Sequence, residues 1–378
     1  MPFGPLSRKG PVRVQPFFGY RNAQRIALTT RAIRAREPVF KARSFWRDFA
    51  TMLGQYNSKE VAGLPVTLEF ESGDGRTVSQ QVVTDADGYA RFDLALDPEC
   101  TPAERTGWEQ AIVRWPMPDG SHHSATAHIL TPGTHTQVGI ISDIDDTILE
   151  TGVTSFRKIV RNWKRVMATM PSERTLVPDA PDFYAALGGG PTPTDEAIGS
   201  LKPEARVRPV FYVSSSPWNL FSYLVTFKRE RKLPLGPVML RDWGWNRETL
   251  GKSGHGSHKR RAIETILNTF PKLKFALIGD DTQKDLAAFG SIASDFPGRI
   301  AAVFIRSVSG DPLTDEELHA IDIIEKAGVP FWTGNDYREA KGFLRGAGLE
   351  LKGGVKKLVR AATEGPKVTS QSAGSNPA

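Results

Sequence analysis

From Val66 onward apolar and polar positions alternate with period two. Val66, Leu68 and Phe70 face away from Thr67 and Glu69, a Ser72-Gly73-Asp74-Gly75 turn follows, and a second extended run covers 78–83. Alternation interrupted by a Gly-rich turn predicts a hairpin. Another turn, Asp85-Ala86-Asp87-Gly88, and further extended runs at 89–94, 111–115 and 125–130 enlarge it to a small antiparallel β domain over 61–132. Past Thr131-Pro132-Gly133 the pattern changes. Short, wholly apolar runs now alternate with stretches of helical spacing, which predicts a parallel α/β sheet over 133–360. Its strands are expected at 138–141, 210–213, 238–240, 275–278, 301–305 and 329–332. A helix is expected over 156–167, inside a long insertion at 154–208 that could cover the strand ends.

The two ends of the chain read differently. The last residues, 361–378, end in TSQSAGSNPA without apolar spacing and predict a disordered tail. Residues 1–60 form a basic segment: the first fifty hold eleven Lys or Arg against Glu37 and Asp48. The aromatics Phe17, Phe18, Tyr20, Phe40, Phe45, Trp46, Phe49 and Tyr56 give this segment surface worth burying, so it is expected to fold, with helix around 45–53.

Composition narrows the class. The 378 residues are 39% hydrophobic and 24% charged, the balance of a globular protein able to bury a core. No run approaches the roughly 18 apolar residues of a spanning helix, and no signal-type segment follows Arg8 and Lys9, which predicts a cytoplasmic protein. The single cysteine, Cys100, excludes an intrachain disulfide and a multi-thiolate metal site. A net charge of +7, concentrated in the N-terminal segment and in RKIVRNWKR at 157–165, would attract phosphates on a lipid surface, a nucleic acid or a small substrate, with a solvated helix face as the plain alternative. Nothing singles out nucleic acid. Asp85 and Asp87 read as a turn, and His122 and His123 carry no metal expectation.

Chemistry concentrates at the ends of the expected parallel strands, where open α/β sheets place their sites. The run VGIIS ends in Asp143, Asp145 and Asp146, with Thr147 behind them. Carboxylates crowded at the edge of a core repel one another and lose solvation, which points to a cation or to a reaction that uses them. VFYV runs into Ser214, Ser215 and Ser216, whose hydroxyls and amides could hold a phosphoryl oxygen. Lys259 opens a helix with apolar positions Ala262, Ile263, Ile266, Leu267 and Phe270; a cation in a first turn opposes the helix dipole and so suggests a function. FALIG ends in Asp280 and Asp281, with Asp285 close behind. A turn, a loop or a solvated face would account for any one of these alone.

Taken in order, DIDDT at 143–147, the strand-end Ser214, the helix-borne Lys259 and GDDTQKD at 279–285 resemble the four motifs of the haloacid dehalogenase phosphohydrolase superfamily. FYVSSSPWNLF, GPVMLRDWG and FALIGDD make the chain similar to the phosphatidate phosphatase family associated with actin patches. The resemblance implies a Rossmann-like parallel sheet of haloacid dehalogenase type. It implies Asp143 as nucleophile, Asp145 as general acid and base, and Ser214 and Lys259 on the transferring group. Thr147, Ser215 and Ser216 would bind substrate, and Mg²⁺ would sit on Asp143, Asp145, Asp280 and Asp281. Asp285 would orient metal waters or support the loop. Two departures, Asp281-Thr282 where the family has Ser-Gly and Ser307 where it often has Asp, bear on the substrate. The expected activity is hydrolysis of phosphatidate to diacylglycerol and phosphate, with peripheral contact to an anionic membrane. The alternatives are a phosphatase for a soluble or nucleic-acid phosphomonoester, and a lipid-binding module without turnover.

Overall fold

The computed structural model describes residues 11–34, 59–117, 119–144, 147–148, 177, 179–189, 203–218, 221–241, 255–282, 284–310 and 312–351. Within them the chain forms β1 (Val12–Pro16), β2 (Gly19–Arg21), β3 (Arg25–Arg34), β4 (Lys59–Glu60), β5 (Pro65–Glu71), β6 (Thr77–Val83), β7 (Tyr89–Ala95), β8 (Gly107–Pro116) and β9 (His122–Thr131). There follow β10 (Val138–Ser142), α1 (Ala180–Gly188), β11 (Val210–Pro217), α2 (Phe221–Glu230), β12 (Val238–Arg241), α3 (His255–Thr269) and β13 (Lys274–Asp280). The series closes with α4 (Asp285–Asp295), β14 (Ile300–Arg306), α5 (Asp315–Lys326), β15 (Phe331–Gly334) and α6 (Tyr337–Gly346).

The first nine strands make one sheet, ordered β1-β3-β2-β9-β8-β5-β6, with β4 and β7 also paired to β3. The expected β5–β6 hairpin is present, in register from Pro65↔Val83 to Glu71↔Thr77. Two expectations need correcting. The sheet is mixed, because β2 runs parallel to β9 through Gly19↔Ile129 and Tyr20↔Leu130. It also takes in residues 12–34 of the basic segment: β3 buries Ile26, Leu28, Thr30 and Ala32 on one face and turns its arginines outward. Alternation, not net charge, decides that stretch. Asp85 forms a turn, with Oδ1 accepting from the amides of Asp87 and Tyr89.

The second sheet is wholly parallel, ordered β12-β11-β10-β13-β14-β15, and all six strands overlap their expected positions. Each strand presents alternate residues to two layers. Ile140, Tyr212, Ala276, Ile278 and Phe304 pack against α1, α2 and α6, while Ile141, Phe211, Val213, Leu277 and Val303 pack against α3, α4 and α5. Both faces are therefore covered, which is why these strands read as unbroken apolar runs. The chain proceeds outward from β10 through β11 to β12, then returns to the other side of β10 for β13, β14 and β15. The order reverses between β10 and β13, and the carboxyl ends of strands flanking such a reversal border a crevice.

The two sheets meet along an aromatic seam. Phe17 lies 4.5 Å from Trp218 and 4.6 Å from Phe221 between ring centroids, and Tyr20 lies 5.8 Å from Phe211 and 6.0 Å from Phe270. Hydrogen bonds fasten the same seam: Gln15 Nε2 to Ser222 Oγ at 2.7 Å, Asn22 Nδ2 to the Thr269 carbonyl at 2.9 Å, and Thr106 Oγ1 to the Val207 carbonyl at 3.1 Å. No helix among the described residues is long and apolar enough to cross a membrane. The helices expected at 45–53 and 156–167 and the tail at 361–378 lie outside the described residues, as does most of 154–208, of which α1 is a described part.

Candidate active site

β10 and β13 are neighbours, in register from Val138↔Lys274 to Ser142↔Ile278, so the residues that follow them converge at the point of reversal. Asp143 continues β10 by donating its amide to the Ile278 carbonyl at 2.8 Å. Asp280 is the last residue of β13. A tight turn through Lys284, at φ 63°, then starts α4 at Asp285 and swings that carboxylate back under Gly279. A Cβ at Gly279 would sit 2.5 Å from Asp285 Oδ2, so only glycine lets the carboxylate close in.

Asp143, Asp280 and Asp285 are all buried, and each offers an oxygen within 4.8 Å of the others. Lys259 reaches into this group from α3, with Nζ 3.0 Å from Asp143 Oδ1 and bonded to Asp285 Oδ1. The helix begins at His255, so Lys259 lies in its second turn and not at its start as the apolar spacing suggested. Residues 255–258 are polar or glycine and give no apolar mark of where the helix opens. The helix-dipole argument for Lys259 therefore falls, and the buried carboxylates replace it.

Electrostatics follow from this packing. Burial works against the Lys259 ammonium, but Asp143, Asp285 and Asp280 outweigh it and hold its pKa above the ordinary value. Burial pushes Asp280 up to about 7; the charge of Asp285 adds to this, and Lys259 partly offsets it. Three buried carboxylates facing one ammonium leave an excess of negative charge. An all-oxygen donor set with that excess fits a hard divalent cation such as Mg²⁺.

The remaining expected residues divide. Thr147 is buried and donates its hydroxyl to Asp280 Oδ2 at 3.1 Å, while Asp280 Oδ1 accepts from the amide and hydroxyl of Thr282. Thr147 thus touches a carboxylate, where the motif had suggested substrate. Ser214 is buried as the fifth of the eight residues of β11, which continues past it through Ser215 and Ser216, so the strand does not end at Ser214 as the apolar run suggests. Asp145 lies outside the described residues. Asp281 is turned away from the cluster: Oδ1 accepts from the amides of Val308 and Ser309, and Oδ2 from the hydroxyls of Ser307 and Ser309, so it organises the loop after β14. Ser307, one of the departures in sequence, is thereby given a partner. Asp285 takes the place in the cluster that had been expected of Asp281.

Other residues were not foreseen. Ser142 Oγ shares a hydrogen bond with the Tyr184 hydroxyl at 2.5 Å and donates to the Asp143 carbonyl at 2.6 Å. Tyr337 donates to the Thr147 carbonyl at 2.9 Å. Arg306, largely buried, ends β14 in register with Asp280. An aromatic or an arginine side chain carries no local signal of such a contact.

Residues 138–307, which contain Asp143, Ser214, Lys259, Asp280 and Asp285, match the family described as phosphatidate phosphatase APP1, catalytic domain. This segment is an APP1-like catalytic domain. The chain is 34% identical over 185 residues to phosphatidate phosphatase APP1 of Saccharomyces cerevisiae, covering 48% of this chain and 28% of that protein. It is 26% identical over 178 residues to an uncharacterized protein of Schizosaccharomyces pombe, covering 46% of this chain and 26% of the relative. The chain thus spans little more than a quarter of these curated relatives. Two solved structures, a cycloisomaltooligosaccharide glucanotransferase from Paenibacillus and the PilB minor pilin of Streptococcus sanguinis, are each 10% identical to it, with TM-scores of 0.20 and 0.25. They cover 86% and 81% of this chain and 53% and 90% of their own, and at those scores carry no argument. The APP1-like domain begins with β10 and ends just past β14, so the nine-stranded sheet, α5, β15 and α6 all lie outside the match.

Proposed function

We propose that this protein is a Mg²⁺-dependent phosphatidate phosphatase that releases diacylglycerol and phosphate through a phosphorylated aspartate, on a parallel sheet of haloacid dehalogenase type. The observation that carries the reading is the buried group of Asp143, Asp280, Asp285 and Lys259 at the β10/β13 reversal, inside the APP1-like domain.

In this reading an Asp143 oxygen attacks the phosphorus. As that P–O bond forms, the bond to the diacylglycerol oxygen breaks, and the oxygen takes a proton from Asp145. A water then attacks the phosphorus, Asp145 accepts its proton, and the Asp143–phosphorus bond breaks to free phosphate and restore the carboxylate. Lys259 holds Asp143 in place and offsets charge on the transferring group, with Ser214 supplying a hydroxyl from the neighbouring strand β11. Asp143, Asp280 and Asp285 would hold Mg²⁺, which would supply the positive charge that an anionic phosphoester needs to approach these carboxylates. The exposed basic residues of 1–50, Arg34 among them but not the buried Arg21, would supply peripheral contact with anionic lipid.

The test is phosphate release from phosphatidate in mixed micelles and from a soluble phosphomonoester, with and without Mg²⁺, for wild type and Asp143→Asn. Release from phosphatidate that needs Mg²⁺ and is lost in the variant is the expected result. Release from the soluble ester alone would retain the chemistry and discard the lipid. Binding of phosphatidate vesicles with no release from either substrate would replace the enzyme with a lipid-binding module.

A further inference from the structure

The polar contacts around Asp280 lead out of the APP1-like domain. One carboxylate oxygen is held by Thr282 and the other by the Thr147 hydroxyl at 3.1 Å. The position of that hydroxyl depends on the backbone of residue 147, whose carbonyl accepts from Tyr337 at 2.9 Å. Tyr337 is the first residue of α6, thirty positions beyond the matched segment. Its ring is clamped, lying 4.8 Å from Phe183 at an interplanar angle of 8° and 6.2 Å from Trp332 at 24°. Tyr337, Thr147 and Asp280 are buried, at 1%, 0% and 0% exposure, so water does not stand in for either hydrogen bond. Burial also raises the Tyr337 pKa, which keeps the phenol a donor.

We propose that Tyr337 is a positioning residue for Asp280: through the carbonyl and then the hydroxyl of Thr147, α6 fixes the carboxylate in the orientation that receives the divalent cation. The proposal rests on the reading of Asp280 as a cation ligand. Groups that orient a ligating carboxylate typically alter metal affinity by about 10–100-fold when removed. Tyr337→Phe deletes the hydroxyl and leaves the ring, its stack on Phe183 and the helix start in place. Thr147→Val breaks the same path one step nearer the carboxylate.

The experiment titrates MgCl₂ into the full chain and follows thermal stabilisation, with phosphate release from phosphatidate measured in parallel. Tyr20→Phe serves as control, because it removes another buried phenol, one bonded to the Thr269 side chain at the seam. Tyr337→Phe and Thr147→Val should each raise the half-saturating Mg²⁺ concentration roughly tenfold, the double variant no further, and Tyr20→Phe not at all. Saturating Mg²⁺ should recover most of the turnover of Tyr337→Phe. A Tyr337→Phe protein with a lower melting temperature and unchanged half-saturation would make Tyr337 a packing residue and overturn the proposal. A wild type that Mg²⁺ does not stabilise would overturn the cation reading of Asp280 itself, and this proposal with it.

Discussion

The carboxylate cluster and the aromatic seam are both buried and both join distant parts of the chain, yet they are specified in opposite ways. At the cluster, Asp143, Asp280, Asp285 and Lys259 are costly to bury singly and tolerable only together, so each residue's identity is dictated by the others. At the seam, the rings of Phe17, Tyr20, Phe211, Trp218, Phe221 and Phe270 gain by leaving water whichever ring they meet, and shape more than charge selects their partners. Chemistry is thus concentrated where substitution is least forgiving, and attachment where it is most graded.

Four measurements sharpen the contrast. Lys259→Met strands three buried carboxylates and should have the largest effect, destabilising by about 3–5 kcal/mol in chemical denaturation and removing turnover. Added Mg²⁺ should restore part of the stability and none of the turnover. Phe17→Ala opens a void beside Trp218 and Phe221 and should cost about 3–4 kcal/mol, while Phe17→Leu should recover most of it, as a packing site allows and a charged one does not.

Lys228 tests burial of a lone charge. Its Nζ is buried 3.8 Å from the centroid of the Tyr212 ring, without a hydrogen-bond partner among the described residues, and burial lowers its pKa to about 7. Below pH 7 it is charged whether folded or unfolded, and the full penalty applies. Between pH 7 and roughly 10.4 only the unfolded chain keeps the proton, so stability rises with pH. Lys228→Met should therefore raise the melting temperature most at pH 6, with an advantage that shrinks toward pH 10. A pH-independent difference would refute the assignment. Asp281→Ala should have the smallest effect, about 1–2 kcal/mol from the loop at 307–309, and should leave the Mg²⁺ response unchanged.

The same contrast explains what could be read in advance. The six parallel strands are legible because covering both faces makes them continuous apolar runs, and the acidic residues at their ends stand out against that background. The place of Asp285 in the cluster is not legible, because its approach depends on the left-handed turn at Lys284 and the bare Gly279, which spacing does not display. Strand β3 carries a clear alternation at Ile26, Leu28, Thr30 and Ala32, which Arg31 within the run and Arg25 and Arg34 at its ends mask when the segment is read by charge. Tyr337 could not be found locally. Its partner is 190 residues away, and its hydroxyl matters only because α6 ends up against the turn after β10.

The pairing of β10 with β13 also bears on synthesis. The nucleophile candidate emerges at residue 143 and its carboxylate partner at residue 280, and the register that joins them spans 138–142 against 274–278. A nascent chain halted after β12 would hold β10 without the neighbour that carries Asp280. Half of this polypeptide does not hold half of the site. The chain must carry an exposed apolar edge along β10 until well over a hundred further residues have been made, and that interval is when it is most open to aggregation or to a chaperone.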